Sequence, residues 1–504
     1  MARNAGQDFL DITRERVVSL YERGPHVVVR FVMRVVKAFG VLQSRVEAQQ
    51  KVIEELERRI RELEDHTKKD SHNSSKPPSS DGLEKKGSKK ERGKNKKKAG
   101  GQKGHEGSTL EMVEDPDHTV VHRVEKCGRC GRSLKGQPIL GHDKRQVFEI
   151  PPIKVEVTEH QAERKECDCC GALAVGDFPE GITHKAQYGD RLKANAVYVK
   201  NYGLLSYQRT AELFEDLFGV PLSVGTLVNT DRECGELLVN VVERIRQEII
   251  TRSVVHFDET GIRVLGKLWW LHSASTQGLT FYGAHPRRGK EATDAMGILP
   301  VYEGRAIHDG WKTYFLYGCL HGLCNAHHIR ELTFVYEEYD QRWADRMIDL
   351  LLRIKEHKGN SGLDSFDPET IKGYENRYRR ILASGMKANP PPADDGTPKR
   401  GRKKKSKPLN LLERLKKYEE ATLAFMYDFS VSFENNQAER DIRMMKVQQK
   451  ISGTFRSKKG IESFCRIRSY ISTVRKQGLN VISALQDVFA GNPLLPDLQQ
   501  QRAE

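Results

Sequence analysis

The alternation of apolar and polar positions between residues 253 and 311 predicts three strands, a short helix and a fourth strand. β-Branched and aromatic residues dominate the four strand segments, which are SVVHFDET (253–260), WWLHSAS (269–275), LTFYGAH (279–285) and RAIHDGW (305–311). Between the third and fourth of these, KEATDAMGIL (290–299) has the spacing of a helix. The pattern therefore predicts a mixed α/β domain in this part of the chain.

Three acidic residues occupy positions that this order of elements would bring together. The order suits an RNase H-like sheet, whose adjacent first and fourth strands would place Asp258 beside Asp309. Glu439 comes much later, in NNQAERDIRMMKVQQ, where polar residues precede a segment of helical spacing. Two metal ions roughly 4 Å apart need several carboxylate oxygens on the same side of the binding site. The three acids predict a metal-dependent nuclease site, while the alternative for each acid alone is a solvated surface position.

Residues 1–66 are predicted to form a helical, coiled-coil oligomerisation segment. β-Branched residues at the a positions and Leu at most d positions favour a parallel two-stranded assembly. The a positions are Val46, Ile53 and Ile60, and the d positions are Leu42, Gln49, Leu56 and Leu63. The alternative is an amphipathic helix that packs on its own domain.

Residues 67–108 are rich in Lys, Ser, Gly and Pro, which predicts a disordered basic tether. A zinc ribbon is expected over residues 109–180, because two CxxC pairs, each followed by Gly, flank the strand-like VFEIPPIKVEVTEHQ. Its structural Zn²⁺ would be held by the thiolates of Cys127, Cys130, Cys167 and Cys170. Cys169 is a competing ligand.

The rest of the chain divides into two further regions and a tail. Residues 181–248 show three helical segments, and the turn GVP before Ser223 is compatible with a helix-turn-helix-like DNA-binding region. Residues 249–492 would form the catalytic domain, with a helical insertion over about 330–432 and a tail at 493–504. Just before the insertion, Cys324 and His327 are either two ligands of a metal or, as we favour, packing and hydrogen-bonding residues beneath the active site.

The formal charge of +15 indicates a polyanionic partner, most often nucleic acid. The charge is concentrated, since residues 68–104 contain 13 Lys/Arg against 4 Asp/Glu, and residues 399–407 contain 7 Lys/Arg and no acid. Outside these segments the chain is close to neutral. Candidate phosphate contacts follow Glu439, and the alternative for each is a solvated basic face; they are Arg443, Lys446, Arg456 and Lys458.

The sequence begins without the basic start and apolar core of a secretory signal. It contains no uncharged apolar stretch near the roughly 20 residues that a membrane span requires. Nine cysteines in such a chain favour reduced thiols or metal ligands over disulfides. We expect a cytoplasmic protein that contacts chromosomal or plasmid DNA and has no membrane partner.

Several distinctive motifs are spread over roughly residues 40–490, and they are SSKPPSSD, GGQKGHEG, both CxxCG knuckles, KNYGLLSYQRTAELF, HFDETGIRV, CNAHHIREL and ENNQAERDIR. Together they resemble the insertion-sequence 66 family of bacterial transposases. The resemblance implies a DDE-type enzyme with an RNase H-like core and Mg²⁺ or Mn²⁺ as the working ion. Such an enzyme cleaves the ends of an insertion sequence and joins the 3′ ends to target DNA.

By this resemblance the DDE acids fall on Asp258, Asp309 and Glu439, which would be both catalytic residues and metal ligands. The family often has Asp before its Asn-Asn pair, where this chain has Glu434, so Glu434 is the alternative third acid. A homodimer or higher oligomer and accessory proteins encoded by the same element are expected partners. The alternatives are a structure-selective RNase H-like nuclease and a catalytically inactive DNA-binding regulator.

Overall fold

The computed structural model describes residues 13–70, 72–74, 109–391 and 405–495. The chain divides into two compact units, each built from separate stretches of sequence. The first contains Met1–Lys85, His327–Asp349 and Ala383–Leu411, and the second contains Lys86–Ala326, Leu350–Leu382 and Leu412–Glu504. No helix in the described ranges is long and apolar enough to cross a membrane.

The first unit opens with two helices, α1 (Arg14–Glu22) and α2 (Pro25–Thr67). The Thr13 hydroxyl caps α1, and Pro25 begins α2 because its fixed φ suits a first helical position. Helix α2 spans the predicted heptads, so the helix itself is confirmed. The apolar a and d residues are exposed on this chain, including Ile53 at 49% and Leu56 at 54%. The pairing of two such helices stays a prediction.

The second unit begins with short elements and then becomes helical. Strands β1 (Arg164–Glu166) and β2 (Leu173–Val175) pair in antiparallel fashion. The predicted strand in VFEIPPIKVEVTEHQ is not observed, and its two adjacent prolines cannot donate to a ladder. Helices predicted over residues 181–248 are observed as α3 (Asp190–Val197, continued by a π-turn to Tyr202), α4 (Tyr207–Phe218), α5 (Val224–Leu237) and α6 (Val239–Ile250).

A five-stranded mixed sheet follows. Its strands are β3 (Val254–Val264), β4 (Lys267–Ser275), β5 (Thr280–His285), β6 (Arg305–His308) and β7 (Leu320–Leu323), with α7 (Lys290–Met296) before β6. The strand order is β5-β4-β3-β6-β7. β3 pairs with β4 antiparallel and with β6 parallel, so the predicted adjacency of the first and fourth strands is observed. β7, parallel to β6, was not predicted.

The predicted insertion is helical in the described residues. It contains α8 (Asn325–Tyr339), α9 (Arg342–Ser361), α10 (Pro368–Ala388), α11 (Lys407–Lys417) and α12 (Glu419–Tyr427). Its segments are divided between the two units, because residues 327–349 and 383–411 belong to the first. Most of the basic segment 399–407 lies outside the described residues.

The start of the predicted tether differs from expectation. Residues 68–70 and 72–74 belong to the first unit, where Lys68 forms an ion pair of 3.0 Å with Glu338. The Asp70 carboxylate accepts the backbone N–H groups of His72 and Asn73, and Asn73 is buried. This side-chain turn fixes a polar stretch that composition alone assigns to disorder. Residues 75–108 of the tether lie outside the described residues.

Three helices complete the second unit, and they are α13 (Asn436–Ser452), α14 (Lys458–Lys476) and α15 (Val481–Phe489). α13 packs on β3 and β4, while α14 packs on β5 and α5. Buried side chains of α14, among them Ile467 and Tyr470, join Val255 and Phe257 of β3 in one apolar core. On the opposite face of β3, Ile442 and Met445 of α13 pack with Ile262 and Val264.

Candidate active site

Strand alternation places Asp258 on the face of β3 that lies under α13. The even-numbered Ile262 and Val264 of β3 pack with Ile442 and Met445 of α13. The odd-numbered Val255 and Phe257 face the opposite side of the sheet and pack in a different apolar core. Asp258 shares the even parity and is half-buried. Its Oδ1 accepts the backbone N–H of the next residue at 2.9 Å. The carboxylate is therefore held at the strand surface beneath the helix.

Asp309 follows β6, the parallel neighbour of β3. It lies in a turn where its Oδ1 accepts the backbone N–H of Trp311 at 2.9 Å. Gly310 has φ +91°, a conformation that costs glycine little and other residues much. Asp309 is exposed, so this side of the candidate site is open to solvent.

Asn435 fixes the start of the helix that carries Glu439. Its side-chain Nδ2 donates to the carbonyl of Phe257 at 2.9 Å, and its Oδ1 accepts from Nδ1 of His256 at 2.8 Å. Its backbone N–H donates to Sγ of Cys324 at 3.2 Å. Because Glu439 lies one turn further along α13, this buried amide sets its position relative to Asp258. Asn435 was not among the site residues predicted from the sequence.

The three predicted acids lie near enough to one another for their charges to interact, while their role as metal ligands stays a prediction. Burial raises the pKa of Asp258 well above its usual range, and the negative charges of Glu259, Asp309 and Glu439 raise it further. A carboxyl oxygen of Glu439 also lies within 4.8 Å of the Cys324 sulfur. The arrangement concentrates anionic oxygen ligands at one place, which is the electrostatic condition for binding a divalent cation.

Glu434, the alternative third acid, has other partners. Its carboxylate forms an ion pair of 2.7 Å with Lys355 and accepts from the Asn436 amide. Unlike Glu439, it is not among the charges that raise the pKa of Asp258. The geometry therefore favours Glu439 over Glu434.

Glu259, which the sequence analysis passed over, lies on the opposite face of β3 from Asp258. Its side chain is only 2% exposed and receives two hydrogen bonds from Arg288, the shorter at 2.6 Å, and one from the Tyr314 hydroxyl. The Arg288 guanidinium also lies over the rings of Trp270 and Trp311, at 4.6 and 4.4 Å from their centroids. This network ties β3 to the loop after Asp309.

Two histidines support the strand that precedes Asp309. The Gly310 N–H donates to Nδ1 of His308, so the His308 proton sits on Nε2 and is donated to Nδ1 of His321 at 3.1 Å. Burial lowers the pKa of His308 to about 3, which keeps this ring neutral. No local sequence pattern indicates this pair, because the two residues lie on different strands, β6 and β7.

Cys324 has the hydrogen-bonding role that the sequence analysis favoured, because it accepts the Asn435 N–H. His327 belongs to the first unit, and its role stays a prediction. The exposed Arg443, Arg456 and Lys458 are available to a ligand, although Lys458 lies 3.9 Å from Glu462. Lys446 instead donates to the Gly261 carbonyl at 3.2 Å.

The two cysteine pairs form matching knuckles. In the first, the N–H of Gly131 donates to the carbonyl of Cys127 at 2.9 Å, and in the second Gly171 donates to Cys167 at 2.8 Å. Both glycines have positive φ, at +72° and +68°. Backbone N–H groups and the neighbouring thiol of each pair lower the pKa of Cys127 and Cys167, as a thiolate ligand requires.

The knuckles thus have the donors for zinc, but their sulfurs do not gather into one set. In the described ranges, no three of the five cysteines in this region have sulfurs within 4.8 Å of one another. The ligand set of Cys127, Cys130, Cys167 and Cys170 stays a prediction.

Comparison with known families agrees with these features. Residues 125–171 match the zinc-finger binding domain of transposase IS66, and residues 37–111 match a family of unknown function. No curated protein matches the chain in a sequence comparison. Residues 185–463, which contain all three candidate acids, match the Transposase IS66 family. Because this match covers more than half of the 504 residues, the chain belongs to the IS66 family of transposases.

Proposed function

We propose that this protein cleaves the ends of an insertion sequence by metal-dependent hydrolysis and joins the 3′ ends to target DNA. The proximity of Asp258, Asp309 and Glu439 carries the proposal: burial and the charge of Glu259 raise the pKa of Asp258, and the charges of Asp309 and Glu439 raise it further. The strand order β5-β4-β3-β6-β7, with its first and fourth strands adjacent, supports an RNase H-like core.

The three carboxylates would hold Mg²⁺ or Mn²⁺, both of which prefer oxygen ligands. Crowded carboxylates repel one another, and a bound cation would relieve that repulsion, so the residues fit the ion. Bound there, the metal would lower the pKa of water or a 3′-hydroxyl and stabilise charge on the leaving oxygen.

The reaction needs no other cofactor. Hydrolysis at the element end forms one P–O bond from water and breaks one, which leaves a 3′-hydroxyl on the element. In the joining step this hydroxyl forms a P–O bond with target DNA while the target strand loses one. The number of phosphodiester bonds is therefore unchanged by joining. Asp258 and Glu439 are held rigidly by strand and helix, which suits ligands whose geometry must persist through both steps.

Other regions would handle the DNA. The hairpin of α4 and α5 turns at Gly219, and Asn229 and Arg232 are exposed on α5, so we assign end binding to residues 181–248. Exposed Arg443 and Arg456 would contact phosphates. Residues 1–66 would pair two chains, the zinc-finger region would be a structural domain, and residues 249–492 would form the catalytic domain.

The test pairs two measurements in Mg²⁺: cleavage of intact element ends, and strand transfer of pre-cleaved ends to a target plasmid. We expect Asp258→Asn and Glu439→Gln to abolish cleavage and joining, while end binding persists. Glu434→Gln is the matched control and should retain most activity, because Glu434 pairs with Lys355. Full activity of Glu439→Gln together with loss in Glu434→Gln would move the third acid to Glu434.

The same measurements separate the alternatives. A structure-selective nuclease would cut branched DNA but would not join element ends to a target. A DNA-binding regulator would bind the ends and show no metal-dependent cleavage with the parent protein.

A further inference from the structure

A pocket rich in arginine lies between α13 and α14, on the side of α13 where Arg440 and Asp441 project. Its volume is about 390 Å³, within the size range of ligand sites, which is roughly 300–1,000 Å³. The polar and aromatic residues on which the argument depends are Tyr202, Arg440, Asp441, Arg468, Arg475 and Lys476. We call it the arginine pocket.

One of its cations is already neutralised. Lys476 forms an ion pair of 2.6 Å with Asp441 and also donates to the carbonyl of Thr276. Asp441 in turn accepts from the Ser275 hydroxyl at 2.7 Å. This network joins α13 to β4 and α14. Asp441 is also the only carboxylate among the described residues that line the pocket.

The three arginines have no such partner. Among the described residues, Arg440, Arg468 and Arg475 form no ion pair within 4.0 Å. Arg468 is 7% exposed, and its Nε is buried without a hydrogen-bond partner in the part of the chain that the structure describes. Leaving a guanidinium N–H buried and unsatisfied is costly unless a ligand satisfies it.

The local contacts explain only part of this arrangement. Arg468 donates through Nη1 to the Asn201 carbonyl at 3.3 Å, and both Arg468 and Arg475 lie over the Tyr202 ring, at 5.6 and 4.9 Å. Stacking on Tyr202 therefore accounts for the orientation of Arg468 and Arg475. It also brings their two positive charges close together. Arg440 is exposed and brings a third. An anion is the ligand that would balance them.

We propose that the arginine pocket binds a backbone phosphate of DNA. Guanidinium groups bind phosphate oxygens through paired N–H donors, and the space beyond one phosphate would take the adjoining sugar. The inference rests on the proposed action on DNA. It does not depend on Asp258, Asp309 and Glu439, because none of these acids lines the pocket. A strand anchored here would lie against α13, the helix that carries Glu439.

The test measures DNA binding by the full-length chain in an Asp258→Asn background, without added divalent metal and without chelator. Arg440→Gln with Arg475→Gln removes two exposed cations of the pocket. We expect DNA affinity to fall about tenfold and the slope of log K against log salt to decrease by about 1. The matched control, Arg244→Gln with Lys450→Gln, removes two exposed cations that do not line the pocket and should change neither quantity.

A chemical footprint of the arginines tests whether the bound phosphate belongs to DNA or is a free anion. Phenylglyoxal modification, read by peptide mass spectrometry, should be blocked at Arg440 and Arg475 by a DNA duplex but not by millimolar dAMP or inorganic phosphate. Equal protection by dAMP or phosphate would indicate a free-anion site, and absence of protection by bound DNA would indicate a structural cluster. Either result overturns the proposal. Failure of the parent chain to bind any DNA would instead count against the proposed function itself.

Discussion

Asn435 offers the sharpest test of how the candidate active site is positioned. Asn435→Ala removes the amide that joins the start of α13 to β3, and it leaves the Nδ1–H of His256 and the carbonyl of Phe257 buried without their partner. Each orphaned group costs about 1–3 kcal/mol, so we expect the free energy of unfolding to fall by about 3 kcal/mol. The melting temperature should fall by several degrees.

The larger effect should be on the reaction rate. Without the amide, the first turn of α13 can shift against β3, and a displacement of Glu439 by about 1 Å is expected to slow cleavage about 100-fold. DNA affinity should change little, because Asn435 is 1% exposed and cannot contact DNA directly. The assay is single-turnover cleavage of an element end, at a temperature where circular dichroism shows the variant folded.

Asn436→Ala is the matched control, since Asn436 is exposed and its amide contacts Glu434 instead. It should keep nearly the parental rate and stability. If Asn435→Ala lost stability as expected but cleaved within about threefold of the parent, the amide would be a packing element and the positioning argument would be wrong.

Two further predictions concern the other regions. Atomic emission should find about one zinc per purified chain. Cys130→Ser should release the zinc, whereas Cys169→Ser should not. The reverse pattern would make Cys169 the ligand in place of Cys130. Ile53→Lys with Ile60→Lys should weaken self-association in light scattering and abolish paired-end complexes, because like charges would meet at the a positions of a dimer. The control Ala48→Lys, which lies away from the a and d positions, should not weaken self-association. If the double variant assembled like the parent, the chains would have to pair through another region.

The strands and helices of the second unit were largely predictable because their local patterns are strong. β3 was expected at 253–260 and extends to Val264, since the hairpin at Leu265 and Gly266, both with positive φ, continues its pairing with β4. β7 was missed because LHGL is four residues long and contains glycine, so it has little strand signal. Only its pairing with β6 stabilises it as a strand.

The candidate acids could be predicted, but the groups that position them could not. Asn435 acts on residues 178 and 179 positions earlier in the chain, a proximity that no local pattern encodes. Glu259 stands next to Asp258, and strand alternation shows that the two face opposite sides, yet only tertiary structure identifies Arg288 as its partner. Residue type and spacing indicate the chemistry of a site, while its supporting contacts depend on the fold.

The division of the insertion between the two units has a practical consequence for dissecting this protein. Lys68 and Lys69, which follow α2, contact Glu338 and Phe334 of α8, so the first unit is completed by residues that are remote in sequence. A fragment that starts at residue 109 would expose that surface of α8. One cut in the chain therefore cannot release either unit intact. Isolating the second unit would require excising residues 327–349 and 383–411 and closing both gaps with linkers.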